Sequence, residues 1–286
     1  MKSKESPYTG VEIFLTTKHY KSRAITKPFG QKLSARITEH YFDTDTLGTF
    51  SGEIERKDSP LECARKKCEL AIEQAGATFA LASEGSFGPH PSIPFVACDH
   101  EILYFIDLKH QFHFHLSYLS MSTNFRTDTI DSIETLHDFA KKSKFPSHAL
   151  IIRPYDRDRT ATTYKGINSH DGLEVAFAKS MSFSSNGKVW VETDMRAHMN
   201  PTRMAVIEEL ADQMADRLGL QCPKCETPGW GKVGIIEGLE CSYCGTKTNL
   251  TKEEILGCTK CDHRKIIQRK DLLTKADPRF CGYCNP

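Results

Sequence analysis

The sequence lacks the segments that would carry a protein to or through a membrane. No apolar run approaches the ~20 residues of a membrane-spanning helix, and Met1–Ser6 has no apolar core of a signal peptide. It also lacks an excess of charge, with a net charge of +1 over 286 residues, 26% of them charged and 39% hydrophobic. These absences predict a cytoplasmic protein with no membrane partner, and the length allows one sizeable domain plus a smaller module.

Cysteine, by contrast, is abundant, and its spacing is specific. Eight of the 11 cysteines form four Cys-x-x-Cys pairs, and a tight turn between such a pair can bring both sulfurs to one metal ion. Disulfides are not expected in a reducing compartment. Full thiolate ligation leaves no open position for water, so we predict two structural Zn²⁺ ions. The predicted ligands are Cys222, Cys225, Cys241, Cys244, Cys258, Cys261, Cys281 and Cys284.

The spacing between the pairs predicts how they combine. Cys225 and Cys241 are separated by 15 residues, and Cys261 and Cys281 by 19. One hairpin could close each site over such a distance, as in a zinc ribbon, so we predict sequential pairing, first with second and third with fourth. Interleaved pairing is the alternative, which spacing alone does not exclude. Residues 221–286 are therefore predicted to form a double zinc ribbon.

The charge of this tail bears on its partners. From Gln221 onward it carries 11 Lys and Arg residues and 8 Asp and Glu residues. Eight thiolates and two Zn²⁺ ions bring the net charge to about −1. A nucleic-acid module usually has a basic face. Any binding of RNA or DNA by the tail is therefore predicted to be weak, although nucleic acid and protein both remain candidate partners.

The preceding residues, 8–220, have an α/β pattern. Val11–Leu15 predicts a strand, and Ser59 with Glu62 forms a capping box before a helix that Gly76 ends. A strand at Thr78–Ala82 then leads into a predicted glycine-rich turn at 83–91. Further strands are predicted at 48–54, 93–98, 101–107, 112–120, 148–153 and 188–192, and further helices within 20–37 (interrupted near Pro28) and at 132–143, 173–181 and 200–219. The sequence thus predicts an α/β fold with a mixed sheet flanked by helices.

Polar side chains gather where the strands are predicted to end. Lys18 and Lys21 follow the first strand, and Glu84 lies in the predicted turn. Because α/β sheets bind ligands beyond strand ends, cations and acids in these places predict a phosphate ester with bound Mg²⁺. Two further groups join this set. They are the acids before the capped helix, Glu53 and Glu55, and the basic residues before or within the last helix, Arg196, His198 and Arg203.

The order of these segments resembles the inosine triphosphate pyrophosphatase superfamily, which removes pyrophosphate from non-standard purine nucleoside triphosphates. Thr16-Thr17-Lys18-His19-Tyr20-Lys21 is similar to the family's Thr-x-Asn-x-x-Lys loop with Asn replaced, and Phe50-Ser51-Gly52-Glu53 to its acidic, aromatic segment. Ser83-Glu84-Gly85 resembles its Asp-Ser-Gly turn, and Ala197-His198-Met199 with Arg203 its Ser-His-Arg motif. The chain as a whole also looks like an uncharacterised bacterial family with the same cysteine tail.

The resemblance implies roles for these residues. Thr16, Lys18 and Lys21 would hold the triphosphate, and Glu84 with Glu53 or Glu55 would hold Mg²⁺. Arg196, His198 and Arg203 would recognise the base or a phosphate. The leading hypothesis is accordingly a Mg²⁺-dependent nucleoside triphosphate pyrophosphohydrolase. The alternative is a non-catalytic protein that binds nucleic acid or a protein partner through its zinc ribbons.

Overall fold

A computed structural model describes residues 5–41, 58–155 and 162–286. Within them the chain forms five helices and twelve strands in three sheets. The helices are α1 (Ser22–Leu33), α2 (Pro60–Ala75), α3 (Ile133–Lys142), α4 (His170–Phe183) and α5 (Pro201–Gly219). The strands are β1 (Glu12–Thr16), β2 (Arg36–His40), β3 (Phe79–His90), β4 (Ile93–Asp107), β5 (Phe112–Ser120), β6 (Thr127–Ile130), β7 (Leu150–Pro154), β8 (Tyr164–Ile167), β9 (Val189–Thr193), β10 (Gly231–Glu237), β11 (Thr251–Gly257) and β12 (Arg264–Gln268).

The first sheet is mixed and has the order β2-β1-β3-β4-β5. β1 is parallel to β2 and β3, whereas β4 and β5 are antiparallel to their neighbours. Alternation along β3 divides the core, since Leu81 packs with α1 and α5 on one face while Ala80 and Ala82 pack with α2 on the other. The predicted α/β fold with a mixed sheet flanked by helices is confirmed.

Local signals account for α2. The Ser59 side chain accepts from the backbone N–H of Glu62, the Glu62 carboxylate accepts from that of Ser59, and Pro60 follows the cap. Gly76 ends the helix in a left-handed conformation (φ 64°) that a residue without Cβ adopts at no cost. The capping box predicted from the sequence is confirmed.

The second sheet is antiparallel throughout, with the order β6-β9-β7-β8. α3 and α4 pack on it through their own apolar cluster, which includes Leu136, Leu173, Leu150 and Val191. α5 then returns to the first sheet. No helix among the described residues combines the length and apolar character needed to span a bilayer.

Several predicted boundaries were wrong. The glycine-rich turn at 83–91 lies mostly inside β3, because β3 pairs with β4 almost residue by residue from Phe79↔Asp107 to Pro89↔Ala97. For the same reason 93–98 and 101–107 are one strand. α1 continues through Pro28, which is buried with Phe29. Three short strands, β2, β6 and β8, were missed, and the strand predicted at 48–54 lies outside the described residues.

Candidate metal centres and a buried charged site

The paired cysteines form two tetrads, and the pairing is interleaved. Four Sγ atoms in each tetrad lie within 4.8 Å of one another. The first pair joins the third and the second joins the fourth, so the predicted sequential pairing was wrong. The proximal tetrad is Cys222, Cys225, Cys258 and Cys261, and the distal tetrad is Cys241, Cys244, Cys281 and Cys284.

Strand topology explains the interleaving. β10, β11 and β12 form a three-stranded antiparallel sheet in chain order. The β11–β12 turn, with Cys258 and Cys261, therefore lies at the same end as the start of β10, which Cys222 and Cys225 precede. The β10–β11 connection and the segment after β12 meet at the opposite end and carry the other four cysteines. In such a three-stranded meander the first and third cysteine pairs lie at one end of the sheet, and the second and fourth lie at the other. Each metal site can therefore be completed only by interleaved pairs.

The geometry of both tetrads fits a tetrahedral thiolate site. Two Sγ···Sγ distances are 3.8 Å and 3.5 Å in the proximal tetrad, and two are 3.9 Å and 3.6 Å in the distal one. Four sulfurs at ~2.3 Å from a central Zn²⁺ would be separated by ~3.8 Å, and a disulfide would need ~2 Å. The two tetrads can hold two metal ions, and zinc suits a set of four thiolates.

Hydrogen bonds stabilise the charged form of the ligands. The backbone N–H of Lys224 donates to Cys222 Sγ (3.5 Å) and that of Lys260 to Cys258 Sγ (3.3 Å). Hydrogen bonds from the Thr227 side chain and backbone lower the pKa of Cys225 to about 6. Thr246 does the same for Cys244. Thiolate, the form that binds metal, is thereby favoured at Cys225 and Cys244 near neutral pH.

The proximal tetrad is attached to the first sheet. Lys260, between its two cysteines, donates to the backbone carbonyl of His110 in the β4–β5 turn (2.9 Å). Arg217 near the end of α5 donates to the carbonyl of Gly229 (3.0 Å), and its guanidinium lies 4.7 Å from the centre of the Phe114 ring. Lys260 directly precedes the second cysteine of its pair. In the distal tetrad this position is occupied by Tyr243 and Tyr283, whose exposed fractions are 85% and 77%. The two tetrads therefore have different surroundings.

Lys21 occupies the space beyond the end of β1. Its Nζ donates to the backbone carbonyl of Ser83 (2.8 Å) and to Ser83 Oγ (3.2 Å). β1 pairs with β3 only as far as Thr16↔Ala82, so the ammonium lies where the next residue of β1 would have paired. Burial, and after it the charge of Arg203, lowers the pKa of Lys21 to about 7. A lysine in this state is a strong functional candidate.

Glu84 lies next to Ser83 on β3 but faces α2. Its carboxylate forms a buried ion pair with Lys67 of α2. Thr16 Oγ1 donates to the backbone carbonyl of the same Lys67 (2.9 Å). Side chains of successive strand residues face opposite sides of the sheet, so Lys21, which contacts Ser83, does not contact Glu84. Lys67, which the sequence analysis missed, lies between Glu84 and the end of β1.

An ion pair with no exposure to solvent lies behind Lys21. Arg203 Nε donates to Glu101 Oε1 (2.6 Å), and Arg203 Nη1 to the carbonyl of Met195 (2.5 Å). Ser83 Oγ lies 3.4 Å from Glu101 Oε2 and so links the pair to Lys21. Gly85, opposite Glu101 on β3, makes room for it, because a Cβ there would lie 2.3 Å from Glu101 Oε1. Arg203, predicted to contact a substrate, is instead buried in this pair.

Asp99 is a second buried acid on the same face of β4. Its side chain is fully buried, and neither carboxylate oxygen has a hydrogen-bond donor within the described parts of the chain. Burial, followed by the charge of Glu101, raises the pKa of Asp99 well above its usual range. The acid is thereby kept protonated at pH values where an exposed aspartate is charged.

Replacing Asp99 by Asn is expected to stabilise the protein at high pH. A pKa raised by folding means that the folded state binds the proton more tightly, so stability falls as pH rises from about 4 toward the folded pKa. Asn has no proton to lose, and the variant should therefore melt higher than wild type at pH 9 but not at pH 5. Thermal unfolding at both values checks this, with Asp128→Asn on exposed β6 as control. A variant that melts lower at pH 9 would contradict it.

Two histidines lie beside Lys21 in a cationic environment. The His19 and His198 rings stack at 5.2 Å, and both Nδ1 atoms are buried without a hydrogen-bond partner in the described structure. Burial and the charge of Lys21 lower the pKa of His19 to about 3, and burial and Arg196 lower that of His198. Both imidazoles are therefore neutral at pH 7, and the charges that oppose their protonation would favour an anion.

The remaining predicted residues occupy several places. Arg196 is held by fully buried Asp194, whose oxygens accept from its Nε (3.0 Å) and Nη2 (2.5 Å). Thr16 is buried and Lys18 is half-buried in the loop before α1. Glu53 and Glu55 lie outside the described residues. Asp99 and Glu101 were missed, although two acids alternating in an otherwise apolar strand were a signal that could have found them.

A model built on one protein family matches residues 67–286. The chain belongs to this family, described as Domain of unknown function (DUF6671). The expected membership of an uncharacterised family is thus confirmed. The matched part contains Lys67, Glu84, Glu101, Arg203 and both cysteine tetrads, whereas Lys21 precedes it. None of the curated proteins compared with the chain matches it.

Proposed function

We propose that this DUF6671 member is a Mg²⁺-dependent nucleoside triphosphate pyrophosphohydrolase of the cytoplasm. The observation that carries the proposal is a group of charged side chains just beyond the carboxyl end of β1, beside the middle of β3. The Lys21 ammonium contacts Ser83 there, and the largely buried Glu84–Lys67 ion pair lies at the next residue of β3. Ligands of α/β proteins bind in crevices of this kind, outside the carboxyl ends of parallel strands.

The cations of the site suit a polyphosphate. Lys21 is the residue before α1, whose first turn contains no acid, but the Ser22 N–H donates to Glu39 Oε1 (3.2 Å), so the side chain of Lys21 rather than the helix end supplies the positive charge. The two imidazoles beside it are neutral at pH 7, and each keeps one ring N–H that could donate to an entering anion. Lys21, Thr16 and Lys18 would bind the phosphates, and Arg196 and His198 would contact the base or a phosphate.

Glu84 fits a magnesium site in part. Mg²⁺ in phosphate-transfer sites takes one or two carboxylates and completes its shell with substrate oxygens and water. Glu84 would supply one, and Glu53 or Glu55 would supply another. When bound, the metal would polarise the phosphate and lower the pKa of the attacking water. Arg203 would act indirectly, because its pairing with Glu101 fixes Ser83 and with it the position of Lys21.

Turnover is the test. Glu84→Gln is expected to abolish pyrophosphate release from nucleoside triphosphates in the presence of Mg²⁺, because Gln keeps the shape but loses the charge. Lys21→Ala should lower kcat/KM through weaker binding and slower turnover together, since its charge acts in both ground and transition states. Pyrophosphate release measured over a panel of triphosphates checks both.

The control for these variants is Glu134→Gln, an exposed acid in the first turn of α3. It should release pyrophosphate at the wild-type rate. Each variant's melting temperature separates loss of chemistry from loss of fold. A folded Glu84→Gln protein with wild-type turnover would exclude the mechanism, and a wild-type protein inactive on every triphosphate would exclude the function.

A second candidate function is supported by the distal tetrad. Tyr243 and Tyr283 lie in its two Cys-x-x-Cys turns and are the most exposed aromatic residues of the tail. Exposed aromatic rings bind nucleobases or peptide side chains. If the protein is not catalytic, the zinc module is the part that would bind nucleic acid or a protein, and Tyr243→Ala would weaken that binding.

A further inference from the structure

β5 is the outermost strand of the first sheet. It pairs with β4 from Asp107↔Phe112 to Asp99↔Ser120, and it is last in the order of that sheet. Its other edge makes no backbone hydrogen bond with the residues that the structure describes. A row of N–H and C=O groups nine residues long is therefore available for pairing.

The residues of this strand provide none of the usual protection against another strand. Natural edge strands are kept apart by charged side chains, by proline or by bulges. β5 reads Phe-His-Phe-His-Leu-Ser-Tyr-Leu-Ser, and its register with β4 has no shift. The segment without Lys, Arg, Asp or Glu continues to Phe125, in a chain in which 26% of residues are charged. Leu119 and Met121 at its end are exposed.

We propose that β5 pairs antiparallel with β5 of a second copy, about a two-fold axis at Leu116. The nine residues are centred on Leu116, so this register pairs every residue of the strand. Phe114 would lie opposite the partner's Tyr118, and Leu116 opposite the partner's Leu116. These side chains already pack against the α1–α5 core, so the dimer extends an existing apolar layer.

A second copy fits this edge because the strand is complementary to itself. The two-fold axis brings no ionised side chain opposite another, and the chain's net charge of +1 gives little repulsion between copies. His115 would lie opposite the partner's Ser117, on the exposed face of the strand. Two-fold pairing also uses the β5 edges of both copies, so assembly through β5 stops at the dimer.

Charge substitutions at this pair test both the interface and its register. His115→Glu with Ser117→Glu places like charges directly opposite each other twice, and is expected to raise the dimer dissociation constant on the order of tenfold or more. His115→Glu with Ser117→Lys places opposite charges there and should retain the dimer. Both positions are exposed, so both variants should fold, which circular dichroism checks.

Sedimentation equilibrium of the zinc-loaded full chain gives the result. Wild type and the Glu/Lys variant should approach twice the 32.3 kDa chain mass, and the Glu/Glu variant should shift toward 32.3 kDa. A wild-type protein that stays monomeric at 100 µM would overturn the proposal, as would be found if the edge served a strand of another protein. A Glu/Glu variant that dimerises like wild type, or a folded Glu/Lys variant that does not dimerise, would also overturn it.

Discussion

Replacing Cys222 and Cys258 together by serine is expected to remove one zinc ion per chain, whereas replacing Cys222 and Cys241 should remove both. The reason is the interleaved pairing. Cys222 and Cys258 belong to one tetrad, so the other keeps its four thiolates, but Cys222 and Cys241 belong to different tetrads. Three thiolates bind Zn²⁺ far more weakly than four, and structural sites contribute apparent binding energies of ~10–16 kcal/mol.

Metal analysis of the two double variants measures the difference directly. Sequential pairing would reverse the outcome, so one zinc in the Cys222/Cys241 variant and none in the Cys222/Cys258 variant would contradict the structure. Wild type should contain two zinc ions per chain. The buried Cys98, which has no part in either tetrad, provides the control, and Cys98→Ser should leave the zinc content at two.

Loss of each ion should also affect different parts of the chain. Cys241→Ser should unfold the distal end while leaving the first sheet intact, because no hydrogen bond or ion pair of the described residues joins the distal tetrad to that sheet, unlike the proximal tetrad. Cys258→Ser should lower the melting temperature of the whole protein, since the proximal tetrad holds Lys260 against His110 and Gly229 against Arg217. Equal effects of the two variants on the main thermal transition would contradict this.

The elements that the sequence predicts well are those defined by local chemistry. The capping box of Ser59 and Glu62, the stop at Gly76 and the apolar alternation of β5 involve residues within one or a few turns of each other. The cysteine pairs are local as well, and their number alone indicates two metal sites. Each of these features could therefore be predicted from the order of residues alone.

Features decided by tertiary pairing could not be predicted in this way. Interleaving depends on β10, β11 and β12 forming one sheet, whereas spacing is equally compatible with a hairpin for each site. Glycines at 85 and 88 indicate a turn by propensity, but pairing with β4 keeps them in a strand. Gly85 is needed there because Glu101 and Arg203, which are 102 residues apart, meet above it.

Arg203→Met is expected to destabilise the folded protein by about 3–5 kcal/mol, because it leaves the other partner of a buried ion pair without an opposite charge. Neither side chain of the Arg203–Glu101 pair is exposed, so water cannot replace the guanidinium. Denaturant unfolding at pH 7.5 measures the change in the free energy of unfolding.

Lys27→Met provides the matched control, because it removes a cation from an ion pair with Glu208 that lies on the surface. Exposed pairs contribute about 0–1 kcal/mol, so this variant should unfold close to wild type. Arg203→Met combined with Glu101→Leu should recover much of the lost stability, since the charge left behind is then absent and apolar side chains fill its place. Arg203→Met as stable as Lys27→Met would contradict a stabilising role for the buried Arg203–Glu101 pair.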